Sequence, residues 1–120
     1  LTAWDNANNP SEQEIQLISI DSEDLQLHYA YNFPNPFRDN TKFAFELSLE
    51  ADVSINIYTL GGRKIKNFKN KIFQPGFHSI AWDGRNEYGE LLSNGVYLYK
   101  IIAKNNNAKT HKVGKIAVYR

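Results

Sequence analysis

The side chains best placed to do chemistry crowd one stretch: Asp83, Asn86, Glu87 and Glu90, punctuated by Gly84 and Gly89. Oxygen ligands in a glycine-containing loop suit a calcium ion. The ligand spacing of an EF-hand is missing, however. Asp83 before Gly84 is more simply a turn residue that hydrogen-bonds its own backbone. His28, His78 and His111 lie far apart in sequence. A metal would need them to converge with carboxylates. Ser79 follows His78, but neighbours on a strand point to opposite faces, so the two cannot act as nucleophile and base. Trp82 offers a flat ring of the kind that stacks on sugars. Alternation groups it with Ile80, which argues for a core residue instead. Cysteine is absent. That removes thiol nucleophiles and zinc–thiolate sites without deciding the compartment. The expectation is a non-catalytic domain with no cofactor and no metal.

The elements around these residues read as strands throughout. Phe43, Phe45, Leu47 and Leu49 alternate with Ala44, Glu46 and Ser48, and Val53, Ile55 and Ile57 alternate with Ser54, Asn56 and Tyr58. Two such runs in succession predict a half-buried antiparallel pair. Gly61-Gly62, Pro75-Gly76, Asp83-Gly84 and Asn94-Gly95 are turn signals. Residues 64–73 carry four lysines, which suits an edge strand. Pro34-Asn35-Pro36 cannot lie inside a central strand, because each proline lacks a donor. That segment predicts a stiff kink, with Phe33 and Phe37 anchoring it in the core. Tyr97 and Tyr99 share a strand face, either as an exposed aromatic stripe or packed on the kink. No segment holds a helical period. From residue 25 onward the pattern predicts seven strands in an all-β, Ig-like antiparallel sandwich. Its expected core is Phe43, Phe45, Leu47, Ile55, Ile57, Ile80, Trp82, Val96 and Leu98.

The 120 residues suit one domain with part of a neighbour attached. No apolar run reaches the length of a membrane helix. The net charge of +1 hides a split. Residues 1–60 hold two basic and ten acidic groups, residues 61–120 twelve basic and three acidic. Cross-strand pairing would neutralise them; a basic face for an acidic partner is the sharper alternative. No aromatic-plus-basic recognition motif appears, so nucleic acid is not expected.

The landmarks follow one order: Asn32-Phe33-Pro34-Asn35-Pro36-Phe37, Leu60-Gly61-Gly62-Arg63, Gly76 to Trp82-Asp83-Gly84, Ser93-Asn94-Gly95-Val96-Tyr97, and Lys115-Ile116-Ala117-Val118. Over residues 25–120 this arrangement resembles the C-terminal sorting domain of the bacterial type IX secretion system. That family shares its Ig-like sandwich with a domain of the flagellar hook-cap protein. The resemblance implies a domain exported through the periplasm to the outer-membrane surface or beyond. Its implied partners are the type IX secretion machinery and an outer-membrane shuttle barrel of the PorV type. It also implies that Lys115, Ile116 and Val118 belong to the terminal sorting signal, with Gly95, Tyr97 and Lys112 beside it. Pro34, Asn35, Pro36, Trp82, Asp83 and Gly84 are implied structural positions. One departure concerns subtype: the loop after the kink, Arg38-Asp39-Asn40-Thr41, is short. A structural assembly module like the hook cap, or an adhesin-type stalk, is the alternative.

Residues 1–24 read as the last strands of a preceding β-domain plus an acidic linker, Asp21-Ser22-Glu23-Asp24. Residues 3–12, Ala-Trp-Asp-Asn-Ala-Asn-Asn-Pro-Ser-Glu, resemble the end of the β-sandwich that follows the catalytic domain in gingipain-family cysteine peptidases. The member they resemble most is the type IX sortase. The resemblance implies a longer parent with its catalytic Cys and His upstream, and a sorting domain retained as a tether rather than cleaved off. An apolar arm over residues 1–20 predicts packing along the sandwich edge or a strand-mediated dimer.

Overall fold

A computed structural model describes residues 24–120. The expectations for the arm, its linker and a dimer through it lie outside the described residues. Seven strands follow in chain order: β1 Leu27–Phe33, β2 Thr41–Leu47, β3 Ala51–Thr59, β4 Lys64–Phe73, β5 Gly76–Trp82, β6 Gly95–Lys104 and β7 Lys109–Val118. They form two antiparallel sheets, ordered β1-β2-β5 and β4-β3-β6-β7. The fold is the Ig-like β-sandwich that the alternation predicts. The lysine-rich strand β4 is an edge strand, as its charge suggests.

One pairing differs from expectation. The alternating runs β2 and β3 do not pair with each other. β2 pairs with β1 and β5, and β3 with β4 and β6. The link over residues 48–50 carries the chain from one sheet to the other. The two apolar faces therefore meet across the core, with Phe43 and Phe45 from one sheet and Ile55 and Ile57 from the other fully buried. Alternation fixes which side chains go inward, but not whether consecutive strands are neighbours in one sheet or partners across two.

The phase of β6 is the second correction. Tyr99, Ile101 and Ala103 are buried and Tyr97 packs partly against them, whereas Val96 is 43% exposed and Leu98 only half-buried. Both phases of Val-Tyr-Leu-Tyr are apolar. The strand's outward phase is set by Lys100 and Lys104, which are better solvated than buried. Tyr99 lies against Phe43 at 5.1 Å between ring centroids. The exposed-stripe reading of these tyrosines fails for Tyr99. Ile80 packs on the core partly buried, and Trp82 is buried against Phe37 and Phe43. The Trp82 indole N–H donates to the Arg85 carbonyl at 3.0 Å, which satisfies its one polar group.

Phe33 and Phe37 part company. Phe37 is buried at the bottom of the core, while Phe33 is 70% exposed. Phe33 pairs opposite Lys42 on the outward phase of β1. Tyr31 and Tyr29, also exposed, share that side of the sheet with Phe77 of β5, whose ring centroid lies 6.0 Å from that of Tyr29. Tyr29 sits in a β-bulge with φ of 51°, a left-handed conformation unusual for a non-glycine residue.

A candidate docking site at the clamped final strand

The landmark segments, dispersed in sequence, converge on the end of β7. The kink over residues 34–36 has cis bonds at Phe33–Pro34 and Asn35–Pro36. It lays Asn35 alongside the final strand. The Asn35 Nδ2 donates to the Lys115 carbonyl at 2.8 Å, and its Oδ1 accepts from the Ala117 N–H at 3.0 Å. The Phe37 N–H then donates to the Ala117 carbonyl, and the Tyr119 N–H donates to the Phe37 carbonyl, both at 2.9 Å. A residue in a parallel ladder bonds the groups on either side of its opposite number. Asn35 does this around Ile116 with its side chain, and Phe37 does it around Val118 with its backbone. Phe37 and Val118 accordingly form a parallel bridge. A surrogate strand thus covers the outer edge of β7 from Lys115 to Val118.

Two further contacts hold the last residue. Asn94 accepts from the Arg120 N–H at 3.0 Å. The Arg120 guanidinium donates to the Leu92 carbonyl. Gly84 closes the floor. It has φ of +77°, and a Cβ there would stand 2.9 Å from Arg120 Nη2 and 3.0 Å from the Phe37 ring. A side chain at this position would be strained in backbone and crowded in space. Gly84, Asn94 and Asn35 therefore share one task, which is fixing the strand from Lys115 to Arg120. The Tyr97 hydroxyl donates to the Ser93 carbonyl at 2.7 Å and braces the same loop.

The acidic loop is used differently from a cation site. The Asp83 Oδ1 accepts from the Arg85 N–H at 3.1 Å, the turn role expected of it. Asn86 accepts from the N–H groups of Tyr88 and Glu90. Glu87 accepts from the Asn67 N–H at 2.6 Å, tying the loop to β4. Glu90 accepts from the Asn86 side-chain amide at 3.0 Å, so these side chains bond within the loop and to β4. His78 packs against Phe45 and Phe73, with Nε2 2.6 Å from the Gln74 carbonyl.

The implied signal residues split by accessibility. Ile116 and Val118 are core residues, with 0% and 2% of their surface exposed. Lys115 and Tyr119 reach solvent. Lys112 is exposed too, but it pairs opposite the inward-facing Ile101, whereas Lys115 pairs opposite the outward-facing Leu98. The two lysines therefore lie on opposite faces of β7. Gly95 pairs with Val118 at the start of β6. Gly114, absent from the sequence-based candidates, lies under the Tyr99 ring; a Cβ there would stand 2.5 Å from the tyrosine oxygen. Burial pushes the Tyr99 hydroxyl pKa up. Only the cross-strand register pairs these two residues, so neither alone signals the contact.

Residues 34–107 match the FlgD Ig-like domain family. The chain belongs to that family. A basal-body rod modification protein FlgD from Buchnera aphidicola is 38% identical over 68 residues, which cover 56% of this chain and 30% of that protein. Among solved structures, the dimeric latent PorU of Porphyromonas gingivalis superposes with a TM-score of 0.65 at 25% identity, over 74% of this chain and 9% of that one. PorZ of the same organism, described as an essential surface component of the type-IX secretion system, superposes at 0.50 and 25% identity, over 77% of this chain and 12% of that one. FlgD of P. aeruginosa shares the fold, at a TM-score of 0.57 and 19% identity over 66% of this chain and 61% of that one. The match spans 30% of the Buchnera protein, 9% of PorU and 12% of PorZ, so this chain corresponds to a part of each.

Proposed function

We propose that this FlgD-type Ig-like domain is a non-catalytic sorting and docking module for type IX export to the outer-membrane surface. The observation that carries the reading is the clamp. The kink motif, the Asp83-Gly84 turn and the Ser93-Asn94 loop all meet the final strand and hold it in one geometry. Covering an edge strand guards any sandwich against edge pairing; contacts from three separate loops fixing residues 115–120 also suit a segment that is read in one shape. The structural likeness to PorU and PorZ supports the export setting.

In this reading, the type IX machinery and a PorV-like shuttle barrel are the partners. They read Lys115 and Tyr119, the side chains that the clamp leaves exposed. Strand addition is disfavoured along this segment, because the Ala117 N–H and the Lys115 and Ala117 carbonyls are already taken by the kink. Ile116, Val118, Gly95 and Tyr97 serve by shaping the strand. A sortase parent with the domain retained as a tether fits the same scheme.

The second reading is an assembly module like the hook cap, supported by the 38% identity to the Buchnera protein. Fusing residues 25–120 behind an exported reporter in a type IX-competent host separates the two. The sorting reading expects the reporter at the cell surface, and the assembly reading leaves it in the periplasm.

A further inference from the structure

All 14 basic side chains of the chain fall after residue 23, together with 8 of its 13 acidic ones, so residues 24–120 carry a net charge of +6. Among the described residues, the one cross-strand pair of opposite charges in register is Asp52 beside Lys104. The ion pair found among the described residues, Arg85–Asp83 at 3.7 Å, joins neighbours in one loop. Lys64, Lys100, Lys104, Lys109 and Lys115, five of the ten lysines, lie on the outer face of the four-stranded sheet.

The strand register places them. Lys64 stands opposite Tyr58, which pairs with Leu98, which pairs with Lys115. The next row holds Lys100 opposite Val113, and the row after it Ile102 opposite His111. The last row sets Lys104 directly opposite Lys109, with Asp52 on the far side of Lys104. Five lysines thus share a face with one carboxylate. Lys104 and Lys109 form a like-charge pair of the kind that weakens a sheet. Val113 is 58% exposed and Ile72, opposite Asp52, 62%. With strands about 4.8 Å apart and rows about 6.8 Å apart, the lysine field covers roughly 15 by 20 Å.

We propose that this face docks on an anionic lipid surface through phosphate headgroups. The cations in these rows are all lysines. Lysine is a mobile point charge suited to a diffuse layer of phosphates, whereas shaped recognition of protein carboxylates favours the arginine fork. Exposed valine and isoleucine between the lysines would enter the headgroup region while the ammonium groups stay at the phosphates. A lysine field of this kind gains affinity charge by charge near an anionic leaflet. The inference does not rest on the export reading, and its test leaves Lys115 untouched.

The test is sedimentation of the full chain with vesicles of phosphatidylglycerol in phosphatidylcholine, against phosphatidylcholine alone. Binding is expected only to the anionic vesicles and should weaken as salt rises. Each cation near the surface contributes about fivefold in partitioning, so Lys100→Glu with Lys109→Glu should lower binding by at least about 25-fold. Lys42→Glu with Lys66→Glu changes net charge equally, with Lys42 on the other sheet and Lys66 opposite the inward-facing Ile57, and should bind nearly as wild type does. Melting curves verify each fold; should the Glu pair unfold, Lys100→Gln with Lys109→Gln replaces it and should still weaken binding. Soluble glycerol phosphate should not compete. Equal binding to neutral vesicles, equal loss in the control pair, or tighter binding to soluble polyglutamate than to the vesicles would each overturn the proposal. The last result would assign the face to an acidic protein.

Discussion

Asn35 and Lys115, 80 residues apart in sequence, are joined by a 2.8 Å hydrogen bond from the Asn35 side-chain amide to the Lys115 carbonyl. The same amide group accepts from the Ala117 N–H. One side chain thus stands in for a strand, and the first and last landmarks of the sequence are one structural unit.

Replacing Asn35 with Ala leaves two backbone groups of β7 to find water. Net hydrogen bonds of this kind contribute about 1 kcal/mol each, so Asn35→Ala should cost about 1–2 kcal/mol in urea unfolding. Asn35→Asp keeps the acceptor for Ala117 but sets a carboxylate against the Lys115 carbonyl. It should be destabilised at least as much at neutral pH and recover as the carboxylate is protonated in acid. Wild-type stability in both variants would mean that the clamp adds nothing.

Gly84→Ala tests the floor of the clamp. The backbone is left-handed there, and the new methyl would stand 2.9 Å from the Arg120 guanidinium and 3.0 Å from Phe37. Strain and overpacking together should cost about 2–4 kcal/mol. Hydrogen exchange should show the loss at the Ala117 and Tyr119 amides. A loss of less than about 0.5 kcal/mol, the range of ordinary surface changes, would place Gly84 outside the packed floor.

Tyr99 over Gly114 makes a third test. Gly114→Ala drives a Cβ to within 2.5 Å of the tyrosine ring, which must move out of the core. A cost of about 1–3 kcal/mol is expected. The hydroxyl's raised pKa has a definite sign in pH dependence. The unfolded chain ionises this group first, so its contribution to stability is complete below the ordinary tyrosine pKa and is lost as pH rises through the folded value. Alkaline unfolding of Tyr99→Phe should begin at higher pH than that of wild type.

The phase of β6 is tested by a pair of truncations. Trp82→Ala should cost about 3–5 kcal/mol as a large-to-small change in the core. Val96→Ala, at a 43% exposed site, should stay within about 0.5 kcal/mol. A cost of about 2 kcal/mol or more for Val96→Ala would restore the inward phase for Val96.

Fold class, strand count and most of the core were legible because period-two alternation and glycine turns report local geometry. Pairing partners were less legible. The turn after Leu47 sends β3 to the opposite sheet, and no local signal distinguishes that from a hairpin. The β6 strand was ambiguous where both phases are apolar, and Lys100 held the information that decided it. Phe33 reads as core from hydrophobicity, yet its position opposite Lys42 turns it outward. At the candidate site, the sequence offered the right segments without their relationship. Asn35 reads as a kink residue, and only the folded chain brings it to Lys115 and Ala117. Gly114 was invisible because its partner is chosen by register.

The central claim is that Lys115 and Tyr119 are read by the export machinery in the shape the clamp imposes. Deleting the final strand cannot test it, since Ile116 and Val118 belong to the core. The direct measurement is surface display of a reporter fused to the domain carrying Lys115→Glu and Tyr119→Ser, in a type IX-competent host, with the melting temperature of the purified domain measured alongside. Exposed substitutions such as these should leave stability within about 1 kcal/mol. The account predicts a folded domain whose reporter is held in the periplasm. Undiminished surface display from the folded double variant would contradict it.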